Sequence, residues 1–340
     1  MGGGSWTTSS FTSYSKSVGR SVDSSTGKLS GSYSSQQMYK QKYLNEKLNP
    51  KNVLRECVDS EEHPNTIPVI LALDVTGSMG QAAVEVAKDI NVVMTRLFKD
   101  VKDIEFMIMG IGDLACDDAP IQISQFESDI RIAEQMDQVY FEYGGGGNAY
   151  ESYTAAWYMG SRHTKLDCLA RGRRGIIITL GDEQLNPYLP KSELVRATGD
   201  DLQGDVETKD LYKEASEKFD IYHIDVDHRS WRDEQIDPSW RKYLDDDHYK
   251  SVKLNAVTDT IIEMIYALDK LAPGTANYDN LLYGVEVKFY NSRIDVDSNF
   301  ETKHKGLYII GDASGTTHSL SQASAEGVLV ARTLIKELLP

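Results

Sequence analysis

Apolar positions along the chain fall into two rhythms. Residues 67–73 (IPVILAL), 104–112 (IEFMIMGIG) and 175–180 (GIIITL) are apolar on both alternating sides, and residues 219–226 (FDIYHIDV) add a fourth run of strand length. Runs this short and this continuous predict strands buried on both faces, as in a parallel sheet. Residues 121–126 predict a shorter strand on the alternation of Ile121 and Ile123. Between strands the spacing changes to that of a helix. Ala83, Val86, Ala87, Ile90, Val93, Met94 and Leu97 mark one apolar stripe and leave Glu85, Lys88, Asp89 and Arg96 for the other side. A second helix is predicted near residues 129–139, and Val257, Ile261, Met264, Ile265, Leu268 and Leu271 predict a terminal one. Strands alternating with helices imply an α/β fold, a doubly wound and mostly parallel sheet whose ligands bind at the strands' carboxyl ends.

At the first such end stands Asp74-Val75-Thr76-Gly77-Ser78, one carboxylate and two hydroxyls alternating before the first helix, with Gly77 and Gly80 for a sharp turn. Hard oxygen ligands of this kind suit Mg²⁺ or Mn²⁺. The same residue types also make helix caps and turns. D-x-T-G-S-M after a buried strand resembles the metal-ion-dependent adhesion site of von Willebrand factor type A (vWA) domains, and the resemblance covers residues 67–271. It implies that Asp74, Thr76 and Ser78 hold a divalent cation, and that Asp182, in the Gly181-Asp182-Glu183 that follows the third apolar run, is the site's second acidic group. In the glycine loop YGGGGNAYESY, residues 143–153, Asn148 stands nearest the family's usual Thr; there a side-chain amide or a water would replace the hydroxyl. The resemblance further implies a protein-binding module in which a partner's Asp or Glu completes the ion. No nucleophile is placed beside a base in the sequence, and no G-x-S-x-G elbow occurs.

The flanks read differently. Residues 1–66 form an arm and lead-in, of which 1–36 are mostly Ser, Gly, Thr and Tyr with few aliphatic side chains. Such a segment is expected to be flexible on its own. Its aromatics Trp6, Phe11, Tyr14 and Tyr33 leave open an arm that orders against the domain or against a second copy, the basis for an alternative role in structural assembly. Met38, Tyr39, Tyr43 and Leu44 predict a helix over 36–48, ended by Pro50, and His63 reads as a solvated loop residue. Residues 272–340 depart from the vWA pattern after Pro273-Gly274. Thr302, four spacer residues, a short apolar strand and Gly311-Asp312 resemble the last dinucleotide-contacting motif of FAD-dependent oxidoreductases. That resemblance implies Gly311 and Asp312 as cofactor-binding residues and a flavin-linked oxidoreductase component as a second alternative. The opening strand and G-x-G-x-x-G of that fold have no counterpart here, so the segment is expected to be a small appendage without FAD.

Composition narrows the setting. A formal net charge of −16 with a pI near 4.9 argues against nucleic acid or an anionic membrane as partner. Three cysteines at spacings unlike a zinc or redox signature suggest a reduced, cytoplasmic chain, and no apolar run is long enough to span a bilayer. His223, Asp225, Asp227 and His228, and the run Asp245–Asp246–Asp247–His248, are read as solvated polarity at strand ends rather than a second metal site.

Overall fold

Among the described residues, six strands form the central sheet of the computed structural model: β1 (Ile67–Asp74), β2 (Ile104–Ile111), β3 (Ile121–Ile123), β4 (Gly175–Gly181), β5 (Phe219–Asp227) and β6 (Tyr249–Lys253). Their spatial order is β6-β5-β4-β1-β2-β3. All neighbours are parallel except β2 and β3, so the short edge strand runs against the rest. β1 has partners on both sides, Leu73 lying beside Gly110 and Leu180, which is why its sequence shows no polar alternation. The structure describes residues 4–101, 103–143, 150–227 and 233–253, with short stretches at 296–297, 299–305, 307–309 and 327–331.

Side chains alternate between two cores. Val69, Leu73, Phe106, Ile108, Ile176, Ile178, Ile224 and Val226 point to one face, where α2 (Gly80–Asp100) and α3 (Arg131–Met136) cover them. Ile70, Ala72, Met107, Met109, Ile111, Ile177, Phe219 and Ile221 point to the other, against α4 (Thr154–Arg162), α5 (Lys191–Thr198), α6 (Thr208–Lys218) and α7 (Asp233–Trp240). Period-two alternation between two helical layers is the doubly wound arrangement.

The amino-terminal arm takes the ordered course. Its α1 (Thr8–Ser17), preceded by Trp6, lies on the outer side of α2, and Trp6, Phe11, Leu29, Met38 and Tyr39 are buried in the first core. Trp6 Nε1 donates to Asn91 Oδ1 at 3.0 Å, Asn91 Nδ2 to the Gly27 carbonyl at 2.8 Å, Lys28 Nζ to Asp89 Oδ2 at 2.7 Å and Tyr39 Oη to the Ala83 carbonyl at 2.9 Å. The solvent side expected for α2 is therefore covered in part: Asp89 is only 4% exposed and Asn91 2%, while Glu85, Lys88 and Arg96 stay partly exposed. Low aliphatic content did not prevent ordering because a few aromatics and these polar partners anchor the chain.

Other expectations are corrected. Instead of a helix over 36–48 there are one turn at Ser35–Met38 and a 3₁₀ turn at Glu46–Leu48, because the buried Met38, Tyr39 and Leu48 are anchored separately. His63 is 3% exposed, with Nε2 at 2.9 Å from the Gly4 carbonyl and 3.2 Å from Ser128 Oγ. His223 is buried as well: its ring stacks on Trp240 at 3.5 Å and Nδ1 lies 2.8 Å from Thr179 Oγ1, while buried Asp225 accepts from Ser251 Oγ at 2.7 Å. Period two turned these residues into the sheet rather than out of it. Asp245, Asp246 and Asp247 are exposed, as expected. The predicted terminal helix and His228 lie outside the described residues.

The chain divides into two compact units, Met1–Asn280 and Leu281–Pro340. In the second, antiparallel bridges join Val296 to Thr302 and Glu301 to Tyr308. Gly311 and Asp312 lie outside the described residues.

Candidate metal centre

In the strand order just given, the chain leaves β1 toward one edge of the sheet and β4 toward the other. The carboxyl ends of these two adjacent strands make the crevice in which open α/β sheets bind ligands. Asp74 is the last residue of β1, and Asp182 follows the last residue of β4. Both are buried, at 1% and 4% exposure.

Side-chain oxygens run without a break from one to the other. Asp74 Oδ1 accepts from Thr76 Oγ1 at 2.6 Å and from the Thr76 backbone N–H at 2.9 Å; Thr76 Oγ1 lies 3.4 Å from Ser78 Oγ, and Ser78 Oγ donates to Asp182 Oδ1 at 3.1 Å. The sequence-predicted Asp74, Thr76, Ser78 and Asp182 are thus brought together. Neither hydroxyl caps the helix behind it: the 3₁₀ turn Gly77–Met79 and α2 both begin without a side-chain cap. Gly77 and Gly80 do not adopt positive φ, so the turn is not a left-handed one. Space at Gly80 is tight, because a Cβ there would lie 3.0 Å from Ser35 Oγ of the arm and would push that side chain aside.

Tyr153 was not foreseen. Its hydroxyl donates to Asp74 Oδ2 at 2.7 Å and accepts from the backbone N–H groups of Asp182 and Glu183 at 3.1 and 3.2 Å. One fully buried phenol thereby ties the end of β1 to the loop after β4. Gly181 makes room for it, since a Cβ would fall inside the Tyr153 hydroxyl and ring. Glu151 is the second residue the sequence did not flag. The pair Tyr150–Glu151 runs parallel to Gln184–Leu185, which returns the chain to the Asp182 loop just after the glycine segment. A polar residue in a glycine-rich loop is the only signal that pointed here. Asn148 lies outside the described residues.

Electrostatics mark the site as a place that resists bare negative charge. Burial, then the nearby Asp182 carboxylate, push the Asp74 carboxyl well above the usual range, against the pull of its hydrogen bonds from Thr76 and Tyr153. Burial raises Glu151 further, with Asp74, Asp117, Asp113 and Asp182 all adding. Burial raises the Tyr153 phenol as well, so it stays a neutral donor. Among the described residues no three carboxylate, imidazole or thiolate side chains converge to hold an ion by themselves. The donor set on offer is therefore two carboxylates and two hydroxyls, all hard oxygens and short of an octahedral shell. These residues fit Mg²⁺ or Mn²⁺ and offer nothing to a softer ion.

No protein-family model and no curated protein matches the chain. Solved structures similar to it include the pilus adhesin SpaC from Lactobacillus rhamnosus GG in its open conformation, at 13% identity and a TM-score of 0.43 over 65% of this chain and 31% of that one. The chain thus spans less than a third of the adhesin's length. The vWF domain of the type V pili tip protein Mfa5 from Porphyromonas gingivalis is similar at 10% identity and a TM-score of 0.40, over 60% of this chain and 95% of that one. The SpRpn10 VWA domain is similar at 13% identity and a TM-score of 0.33, over 55% and 87% of the two chains.

Proposed function

We propose that this chain is a divalent-metal-dependent protein-interaction module of the vWA class. In this reading Asp74, Thr76, Ser78 and Asp182 hold Mg²⁺ or Mn²⁺, with Asn148 as a further ligand, and an Asp or Glu of a protein partner completes the shell. The observation that carries the reading is the unbroken run of side-chain oxygens from Asp74 to Asp182 at the sheet's switch point. When bound, the ion supplies residual positive charge to an incoming carboxylate. The chain's own residues do the rest. Tyr153 holds one oxygen of Asp74 so that the other faces Thr76, and burial keeps water from competing at the two carboxylates. A cytoplasmic setting belongs to the same proposal, supported by three free cysteines, of which Cys57 and Cys168 are buried. No helix among the described residues is long and apolar enough to cross a membrane.

The test is thermal unfolding of metal-stripped protein. Mg²⁺ or Mn²⁺ is expected to raise the Tm of the wild type and leave Asp74→Ala and Asp182→Ala unmoved, because an ion that binds only the folded state stabilises it by mass action. A pull-down repeated with chelator then reads whether partner capture needs the ion. An equal metal shift in both variants, or a shift with FAD and none with metal, overturns the proposal; the latter result moves the function to Gly311 and Asp312.

A further inference from the structure

The loop that carries Thr76 and Ser78 is not fixed from within. Neither the 3₁₀ turn Gly77–Met79 nor α2 begins with a side-chain cap, and the buried Asp74 and Asp182 beside it repel each other when both are charged. Hydroxyl groups serve an ion only when held to within about 0.5 Å, so something outside the loop must hold it. Tyr153 does so from the second core. From the first core the support comes from the arm.

Ser34 and Gln37 cap each other: the Gln37 N–H donates to Ser34 Oγ at 3.2 Å and the Ser34 N–H to Gln37 Oε1 at 2.9 Å. The turn Ser35–Met38 closed in this way sends Met38 and Tyr39 into the first core. Tyr39 Oη then donates to the Ala83 carbonyl in the first turn of α2, and its ring lies 5.1 Å from that of Phe141. Ser35 reaches the same two elements. A Cβ at Gly80 would meet Ser35 Oγ at 3.0 Å and Phe141 at 3.9 Å, and the Ser35 hydroxyl also pairs with the Tyr143 phenol.

Residues 137–143 carry the chain from α3 into the glycine loop, and the arm grips them at both ends. At the start, Arg20 Nη1 donates to Asp137 Oδ1 at 2.8 Å and Tyr14 Oη to Asp137 Oδ2 at 2.7 Å, while Arg20 Nη2 donates to the Met38 carbonyl at 2.8 Å. The two charged side chains are 9% and 18% exposed, so this ion pair lies largely out of water and is not a screened surface contact. At the far end stand Phe141 and Tyr143, with ring centres 5.5 Å apart. There the segment meets the metal loop: the Glu142 N–H donates to the Val75 carbonyl at 2.8 Å, and the Tyr143 carbonyl lies 3.7 Å from where a Gly77 Cβ would be. One short piece of arm thus touches the start of α2 behind Thr76 and Ser78 and also the chain entering the glycine loop, close to where those two meet.

We propose that residues 34–39 are positioning residues of the metal centre, which lock these two loops together so that arm docking and cation binding strengthen each other. The coupling to the cation rests on the metal reading given above; the locking of the loops does not.

The test is hydrogen exchange by mass spectrometry on the full chain, with Tyr39→Ala and the milder Tyr39→Phe, which keeps the ring and loses the bond to Ala83. Without metal, exchange in residues 74–80 and 137–143 is expected to quicken about tenfold in Tyr39→Phe, the worth of one buried hydrogen bond, and further in Tyr39→Ala, with β4 unchanged. Tyr158→Phe, which removes a bond to Asp200 on the other face of the sheet, lowers the Tm but leaves both segments as in the wild type. With Mg²⁺, calorimetric titration is expected to give a Kd about fivefold weaker in Tyr39→Phe. Coupling is reciprocal, so saturating Mg²⁺ slows exchange of residues 34–39 by about the same factor in the wild type and not in Asp74→Ala. Wild-type exchange of residues 74–80 and 137–143 in both Tyr39 variants, with residues 34–39 themselves loosened, overturns the inference; so does an Mg²⁺ affinity untouched by Tyr39→Phe. If Mg²⁺ does not bind the wild type, the metal reading falls and the coupling with it, and the metal-free exchange alone decides whether the arm locks the loops.

Discussion

Each face of the sheet is closed by a helix that is itself roofed, but the roofs differ. On one, α4 is buried over all but its last residue, and aromatic side chains of α6 and α7 cover it. On the second, α2 packs inward like any amphipathic helix, yet its outward Asp89 and Asn91 are buried beneath the arm. The difference teaches that polar residues opposite an apolar stripe mark solvent only when no other segment brings them partners. A lysine, a tryptophan N–H and a glycine carbonyl satisfy these two side chains, and a Ser/Gly-rich arm was able to supply all three.

Four measurements sharpen or break that contrast. The largest effect is expected at Trp6. Trp6→Ala removes a buried ring and strands Asn91, and should cost about 3–5 kcal/mol in urea unfolding; a loss below about 1 kcal/mol would mean that the arm is a veneer. Next comes the site between the faces: at a metal concentration about 100-fold above Kd, the wild type should gain about 2.7 kcal/mol and Asp74→Ala nothing, read by the same unfolding curves. Tyr153→Phe, at the start of α4, should cost about 2 kcal/mol by leaving Asp74 Oδ2 and two backbone N–H groups unpaired, and should weaken metal binding in parallel. The smallest effect lies at Asp117. Burial raises its carboxyl from 3.8 to about 6. Between those values the folded state binds more protons than the unfolded one, so stability falls as pH rises from about 4 to about 6 and stays lower above that. Asp117→Asn keeps the acceptor for the Asp113 N–H and should flatten this stretch of the stability–pH profile, a gain of about 1 kcal/mol at pH 7 after solvent screening.

What could be read from the sequence follows from how each element is stabilised. Strands β1, β2, β4 and β5 are buried on both faces and so announce themselves as apolar runs, and Asp74 and Asp182 are found simply by standing at the ends of two of them. Edge strand β6 carries alternating partly exposed Lys250, Ser251, Val252 and Lys253 and gave no such signal. Tyr153 escaped notice because an aromatic at a helix start reads as core; only the fold shows its hydroxyl meeting two loops more than twenty residues away on either side. His63 and His223 were taken for rim residues because local sequence does not reveal Gly4, Ser128 or Trp240 closing over them.

The arm also bears on how the chain is made. Trp6 is satisfied by a residue 85 positions later. At about 5–20 residues per second, the arm leaves the ribosome several seconds before the helix it will lie on. Until α2 emerges, Trp6, Phe11 and Tyr39 lack the core they bury into, so this stretch of the newborn chain carries exposed aromatics that a chaperone can hold.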